Sequence, residues 1–546
     1  MGSHNHAAKL VAAVLIGGML GCDNVSPSPS PPPGVVSGPA VTLRVLASDD
    51  LTDMQPILDD AARATGVSVV LTRTTTRQGT RVVVDGGADR VYDAIWLSTN
   101  HYLAITPDGL AKVDASERIM SSPVVFGLQA SIAHRLGWDT KRVGWTDIAA
   151  ATAPPAKFTF GMSDPETSNS GVAALVGIAT AIAGDGAALQ RSGVAAAAPA
   201  LRDFFGAQSL KTASSGTLPD AYVRGQAGGA QGGSVNGLVE YESLLLKLNA
   251  SGKLSEPLTL IYPSDGVASA DYPLSLLRSA PVGAKDAFRR LVSYLRSADV
   301  QREIMRTTRR RPISAEVRPD SGFGDHRLFE LPFPGHPDVV NDLVAAYYGR
   351  LRRPARTLYT LDLSGSMRGE RLAALKKALH QLTGAGADPG QVTRFQEREQ
   401  VIFIPFRSAP VSPATFNVPP GQPDPILAQI RVYVDGLAAE GNTAIYDALV
   451  KAYETVAVQA ATDPDRITTI VLLTDGENNT GRDLAAFIDH YHSLPTAVAS
   501  VPIFPILFGE SDPVQMRRLA ELTGGQTFDG RGQSLAELFP RIRAGQ

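Results

Sequence analysis

The chain has a single cysteine, Cys22, in 546 residues, so no disulfide can form within it. It also lacks an excess of charge of either sign. Net charge is −3 at a pI near 6.3, which gives no reason to expect nucleic acid, whose binders carry a concentrated basic face. The one dense basic run, Arg302 to Arg311 (REIMRTTRRR), reads as the end of a helix placed against its negative dipole pole. No apolar run reaches the roughly 20 residues a spanning helix needs. No phosphate-binding GxxxxGK[ST] loop, GxSxG elbow or HExxH pair occurs. The glycine-rich AGGAQGGSVNG, Ala227 to Gly237, has no lysine after its glycines and reads as a flexible loop before a helix at Leu238.

What is present fits packed domains, with 44% hydrophobic and 19% charged residues. At this length one core does not suffice, because single cores stop growing at about 250 to 300 residues. Two or three domains are expected. At the amino end, Lys9 precedes Leu10 to Leu20 (LVAAVLIGGML), followed by Gly21 and Cys22, the pattern of an export signal. MLGC resembles a bacterial lipobox, which implies that Cys22 becomes a lipidated amino terminus. An uncleaved anchor or an amphipathic start is the alternative. Ser26 to Gly34 (SPSPSPPPG) favours extended polyproline II and reads as a tether over 22–40.

From Val41, short β-rich runs alternate with helical stretches, which predicts parallel sheets covered by helices. Strands are expected at Val41 to Ala47, Val67 to Thr72, Tyr92 to Leu97, in Val124 to His134, and at Phe158 to Met162 and Leu258 to Tyr262. Helical spacing marks Leu51 to Thr65, Val172 to Ile182 and Ala284 to Thr307. Residues 318–351 read as a connector, because Arg318 to Asp338 carries Gly and Pro throughout. The last third is a second α/β unit with strands at Leu358 to Leu361, Val401 to Phe406, Thr469 to Thr474 and Ile503 to Phe508. In Arg371 to Thr383, Leu372, Leu375, Leu379 and Leu382 share one helical face.

TLDLSGSM, Thr360 to Met367, puts Asp362, Ser364 and Ser366 on one loop directly after a strand. Parallel sheets place their ligand sites at that carboxyl edge. GNTAIYD brings Thr443 to a loop before a helix, and TIVLLTDGENN brings Asp475 to the end of another strand. Two carboxylates and three hydroxyls are hard oxygen donors. They suit Mg²⁺ or Mn²⁺ better than a soft metal, and with only two acids the ion stays electrophilic towards an outside carboxylate. The bland reading is that Asp362 and the serines cap a turn and a helix. A phosphatase-like chemistry would want a second acid where Ser364 stands, so no enzymatic activity is expected.

The D-x-S-x-S, T, D set resembles the metal-ion-dependent adhesion site of von Willebrand factor type A domains, over about Arg352 to the carboxyl terminus. The resemblance implies that Ser364 and Ser366 coordinate the ion directly, Thr443 directly or through water, and Asp362 and Asp475 largely through water. The earlier part, 41–317, resembles a type II periplasmic solute-binding protein, with lobe I at 41–122 and 263–317 and lobe II at 123–262. SDPETSNSGVAALVG, Ser163 to Gly177, carries much of that resemblance. There Thr167, Ser168, Asn169 and Ser170 sit at a helix amino terminus, which favours an anion or carbonyl oxygen, although plain capping is an equal alternative. Ser48 holds the matching first-lobe turn, but Asp49 and Asp50 follow it and would weaken binding of a simple oxyanion. Ser98, Thr99, Asn236 and Tyr272 are further cleft candidates.

The expected fold is thus α/β, a two-lobed periplasmic-binding-protein-like module followed by a Rossmann-like von Willebrand factor A domain. The expected protein is an exported lipoprotein on the outer face of the cell membrane. Its partner would be an envelope or extracellular protein presenting Asp or Glu to the metal, with a small molecule in the first module's cleft. The alternative is a transport receptor whose A domain regulates docking.

Overall fold

A computed structural model describes residues 40–184, 186–228, 235–324, 328–384, 394–507, 509, 511–531 and 538. The predicted export signal, Cys22 and the proline-rich tether lie outside the described residues. Among the described residues no helix is long and apolar enough to cross a membrane.

Three sheets organise the described residues. The first has the strand order Val67–Thr74, Val41–Ser48, Ala94–Trp96, Pro273–Leu277, Val113–Arg118. Its first three strands run parallel and Pro273–Leu277 runs against both its neighbours. Apolar residues of Val41–Ser48, Leu43 and Val45 among them, enter a core shared with helix Gln55–Thr65. That helix stops at Gly66, whose φ of 72° favours glycine.

The second sheet has the order Ser269–Ala270, Met120–Gln129, Gly237–Tyr241, Phe160–Ser163, Gln208–Thr212, and Leu258–Ile261 and Arg311–Pro312 also pair with its long strand Met120–Gln129. The chain therefore passes between lobes at Ile119, again at 271–272, and a third time at 309–310, rather than at the expected 122–123 and 262–263. Leu238 opens a strand, not a helix, because Gly237–Tyr241 is buried at all five positions and pairs on both sides. The run Val124 to His134 divides into strand and helix at Gln129, and Ala284 to Thr307 is two helices, Val282–Leu295 and Ala298–Thr308.

The segment read as a connector is partly core. Helix Pro337–Ala346 packs on the second-lobe helices Asn169–Ala183 and Arg191–Gly206, and Tyr347 and Tyr348 are buried in the core of the two-lobed body. Its Gly and Pro signals are real over 318–336, but the apolar face Val339, Val340, Leu343 and Val344 follows them with helical spacing.

The third sheet has the order Ala414–Asn417, Gln400–Phe406, Ala355–Asp362, Ile467–Thr474, Ile503–Leu507, Phe528–Asp529, parallel apart from its first strand. Every residue of the central strand Ala355–Asp362 is buried, as expected of a parallel strand with helices on both faces. Alternation along it sends Leu358 to one core with helix Ile445–Thr462, and Tyr359 and Leu361 to the other with helix Glu370–Leu382. The leucine stripe of that last helix lies as its spacing predicts, with Leu375, Leu379 and Leu382 buried.

Candidate functional site

At the carboxyl edge of the third sheet, four predicted residues are joined by hydrogen bonds. Asp362 ends the central strand and is fully buried. Its Oδ1 accepts from the Ser364 N–H at 2.8 Å and its Oδ2 from the Thr474 hydroxyl at 2.7 Å. The Ser364 and Ser366 hydroxyl oxygens are 3.0 Å apart, and Ser366 Oγ donates to Asp475 Oδ1 at 2.9 Å. Thr443 is buried on the adjoining loop, which the Gly365 N–H to Gly441 C=O bond of 2.9 Å ties to the serine loop. Burial pushes the Asp362 carboxyl up, against the bonds from Ser364 and Thr474.

Sequence reasoning missed three groups here. Arg371 donates to Asp475 Oδ2 at 2.5 Å, so one of the two acids has a cation beside it. Asn479 Oδ1 receives the Thr443 N–H and Asn478 Oδ1 receives the Ile445 N–H, each at 2.8 Å. The two asparagines thereby fix the threonine loop. The pair comes soon after Asp475 in DGENN, and its amide character was the available signal.

The donor spacing fits a small octahedral ion. With Mg–O distances of about 2.1 Å, neighbouring ligand oxygens sit about 3.0 Å apart, and the 3.0 Å between the Ser364 and Ser366 hydroxyl oxygens allows both to reach one ion. Among the described residues no three or more His, Cys, Asp or Glu side chains gather as a metal-holding group; the donors here are chiefly hydroxyls.

The second candidate site is the junction of the two lobes. Ser48 Oγ and Ser98 Oγ are 2.7 Å apart and both side chains are buried. Asn169, from the other lobe, donates to Ser48 Oγ at 2.5 Å and accepts the Thr76 N–H at 2.6 Å. Tyr272 is fully buried with φ of 41°, its hydroxyl on Asp50 Oδ2 at 2.6 Å. It stands at a crossing between lobes, where the Asp271 and Tyr272 N–H groups both reach the Ser98 carbonyl. Ser170 approaches Ser163 at 3.5 Å and Ser168 at 3.1 Å.

Other predicted residues do not join this cluster. Thr167 bonds the Ala213 carbonyl at 2.7 Å, and Ser168 caps its helix on the Gly171 N–H. Thr99 accepts the His101 N–H in a local turn. Asn236 binds the Thr159 N–H and Gln129 at the start of Gly237–Tyr241, whereas the cleft lies at the strand's other end, about 13 Å along. It is a sheet tie and not a cleft residue.

The junction also holds a charged network that the sequence hid. Arg310 lies 4.8 Å from the Tyr272 ring centroid and donates to Asp53 Oδ1 at 2.7 Å and to the Asp50 carbonyl at 2.6 Å. Arg311 grips Glu242 with two 2.7 Å bonds, and Lys247 pairs with Asp53 across the lobes. The basic run does end a helix, at Thr308, but its last two arginines are structural ion-pair partners. Glu240, fully buried, accepts from Ser163 Oγ at 3.0 Å and from the Tyr241 N–H at 2.7 Å. Burial pushes its carboxyl up to about 7. Burial and the adjacent Asp50 push Asp49 up to about 6.

Two lobes on separate sheets, joined by several crossings and closed on a polar junction, define the architecture of a periplasmic-type binding protein. Residues 43–307 match the family model described as bacterial extracellular solute-binding protein. Similar solved structures include the periplasmic binding protein AfuA from Actinobacillus pleuropneumoniae, at 14% identity, 56% of this chain, 97% of that chain and a TM-score of 0.42. Iron-bound HitA from Pseudomonas aeruginosa is 16% identical, with 56% of this chain and 97% of that chain covered and a TM-score of 0.40. The chain is also similar to inter-alpha-trypsin inhibitor heavy chain H3 of Homo sapiens, 29% identical over 154 residues, which is 27% of this chain. It spans 16% of that protein's length.

Proposed function

We propose that this is an exported envelope protein in which the last domain grips a protein partner through a divalent cation, while the two-lobed body serves as a ligand-binding or scaffolding module. The observation that carries it is the hydrogen-bonded set Asp362, Ser364, Ser366 and Asp475 at one sheet edge, with the two serine hydroxyl oxygens close enough to share one ion. Ser364, Ser366 and Thr443 would hold Mg²⁺ or Mn²⁺ with the two aspartates around them, and the ion would supply a Lewis-acidic position for an Asp or Glu of the partner. Arg371 beside Asp475 offsets one negative charge, which favours an incoming carboxylate.

Placement supports a macromolecular partner. Ile467 and Thr469 begin the strand that ends at Thr474, and they line a cavity facing the two-lobed body. Asp475, at the strand's other end, is about 23 Å away at 3.3 Å per residue. The proposed metal edge therefore points away from the body. The match of residues 43–307 to solute-binding proteins favours export, and it also supports the second reading, a transport receptor whose A-type domain regulates docking. Anchoring through Cys22 belongs to the same proposal; Cys22→Ala would release the protein from membranes.

Calorimetric titration of Mg²⁺ and Mn²⁺ into wild type, Asp362→Ala and Ser366→Ala tests the site. One bound ion per wild-type chain and at least tenfold weaker binding in both variants are expected. Equal binding by all three proteins would remove the metal. Capture of one envelope protein that chelator abolishes supports adhesion, whereas chelator-insensitive capture refutes it.

A further inference from the structure

We propose that the cavity between the second lobe and the amino-terminal edge of the third sheet binds a compact oxyanion that joins the two bodies. The cavity is about 130 Å³, well above the roughly 15 Å³ that a single water needs and room for one small anion. One wall is the edge strand Gln208–Thr212 with helix Leu218–Gly228, and the other is formed by residues 467–469, 502–504 and 524–528.

Its lining is one-sided in charge. Lys211, Arg224 and Arg352 contribute cations, and no Asp or Glu is among the described residues that line it. Asp164, which is fully buried, bonds Lys211 at 3.0 Å and also Tyr348. Arg352 is itself buried and stacks on the Tyr348 ring at 5.0 Å, so its guanidinium is held in place. Arginine's fixed fork suits carboxylate and phosphate oxygens, and in a low-dielectric wall such contacts are strengthened.

The lining also contains two hydroxyls, of Ser209 and Thr469, that are buried with no hydrogen-bond partner. Buried hydroxyls are ordinarily satisfied. An oxyanion accepts from both hydroxyls and from the cations beside them. Because the two hydroxyls come one from each body, the anion would bridge them. This site is independent of the proposed metal edge, which lies at the far end of the same strands.

Calorimetry at fixed ionic strength in an oxyanion-free chloride buffer tests it, with sodium phosphate, sodium sulfate and sodium malonate titrated separately into wild type, Arg224→Gln and Thr469→Val. Arg224 is exposed, so its replacement leaves the fold intact. One saturable site per chain is expected, weakened at least tenfold by Arg224→Gln and severalfold by Thr469→Val. Binding of phosphate and sulfate identifies a tetrahedral ligand and binding of malonate alone a carboxylate; either supports the site. No saturable binding of any of the three, or affinity unchanged in Arg224→Gln, overturns it.

Discussion

Replacing Glu240 by glutamine should change how the two-lobed body responds to pH. Glu240 is fully buried, and its carboxyl is raised from 4.5 to about 7, chiefly by loss of solvation. In that window the folded chain holds a proton that the unfolded chain has released, so stability falls as pH rises from about 4.5 to 7 and levels off above. A shift of about 2.5 units corresponds to roughly 3 kcal/mol at 1.36 kcal/mol per unit. Glutamine copies the protonated form, since the Ser163 hydroxyl can accept from its amide where it now donates. The assay is denaturant unfolding at pH 5 to 8.5 followed by tryptophan fluorescence. All three tryptophans, Trp96, Trp138 and Trp145, lie in the two-lobed body, so the signal reports it alone. Subtracting the wild-type curve from that of Glu240→Gln cancels Asp49, which is raised in both. The difference should be about 1 kcal/mol at pH 5 and reach about 3 kcal/mol in favour of the variant at pH 8. A flat difference, or one favouring wild type at high pH, would refute the assigned burial cost.

Asp164→Asn should cost about 3 to 5 kcal/mol, because it leaves the Lys211 ammonium buried without its carboxylate; the double variant with Lys211→Met should recover most of that in the same denaturant assay. Gly171→Ala should destabilise by about 3 kcal/mol, since an added Cβ would lie 2.5 Å from the Ser163 carbonyl oxygen and 2.7 Å from that of Asp164, backbone atoms that cannot step aside. A loss under 1 kcal/mol in unfolding experiments would show that this helix can shift from its strand.

The serine loop was legible because its logic is local. A strand ending in Asp362 delivers the next few residues to the carboxyl edge, and the apolar run before it marked the strand. Asp475 was placed the same way, and Thr443 by its glycine-containing loop before a helix. The connector misread at Pro337–Ala346 and the strand at Gly237–Tyr241 show the limit of local signals, because neighbouring Gly and Pro masked segments whose structure depends on their packing partners.

Periodicity and strand-end chemistry, properties of a few successive residues, were enough for the sequence to determine two α/β bodies and the oxygen donors of one edge. The partners of buried charges depend on contacts between distant segments. Arg310 meets Asp53 across 257 positions and Lys247 meets the same aspartate across 194. In the sequence these look like any solvated charge, since the desolvation that makes a partner necessary exists only once the lobes have closed. Tertiary structure alone decided that Asn236 stands away from the cleft, that Arg371 faces Asp475, and that a cation-lined cavity opens between the two bodies.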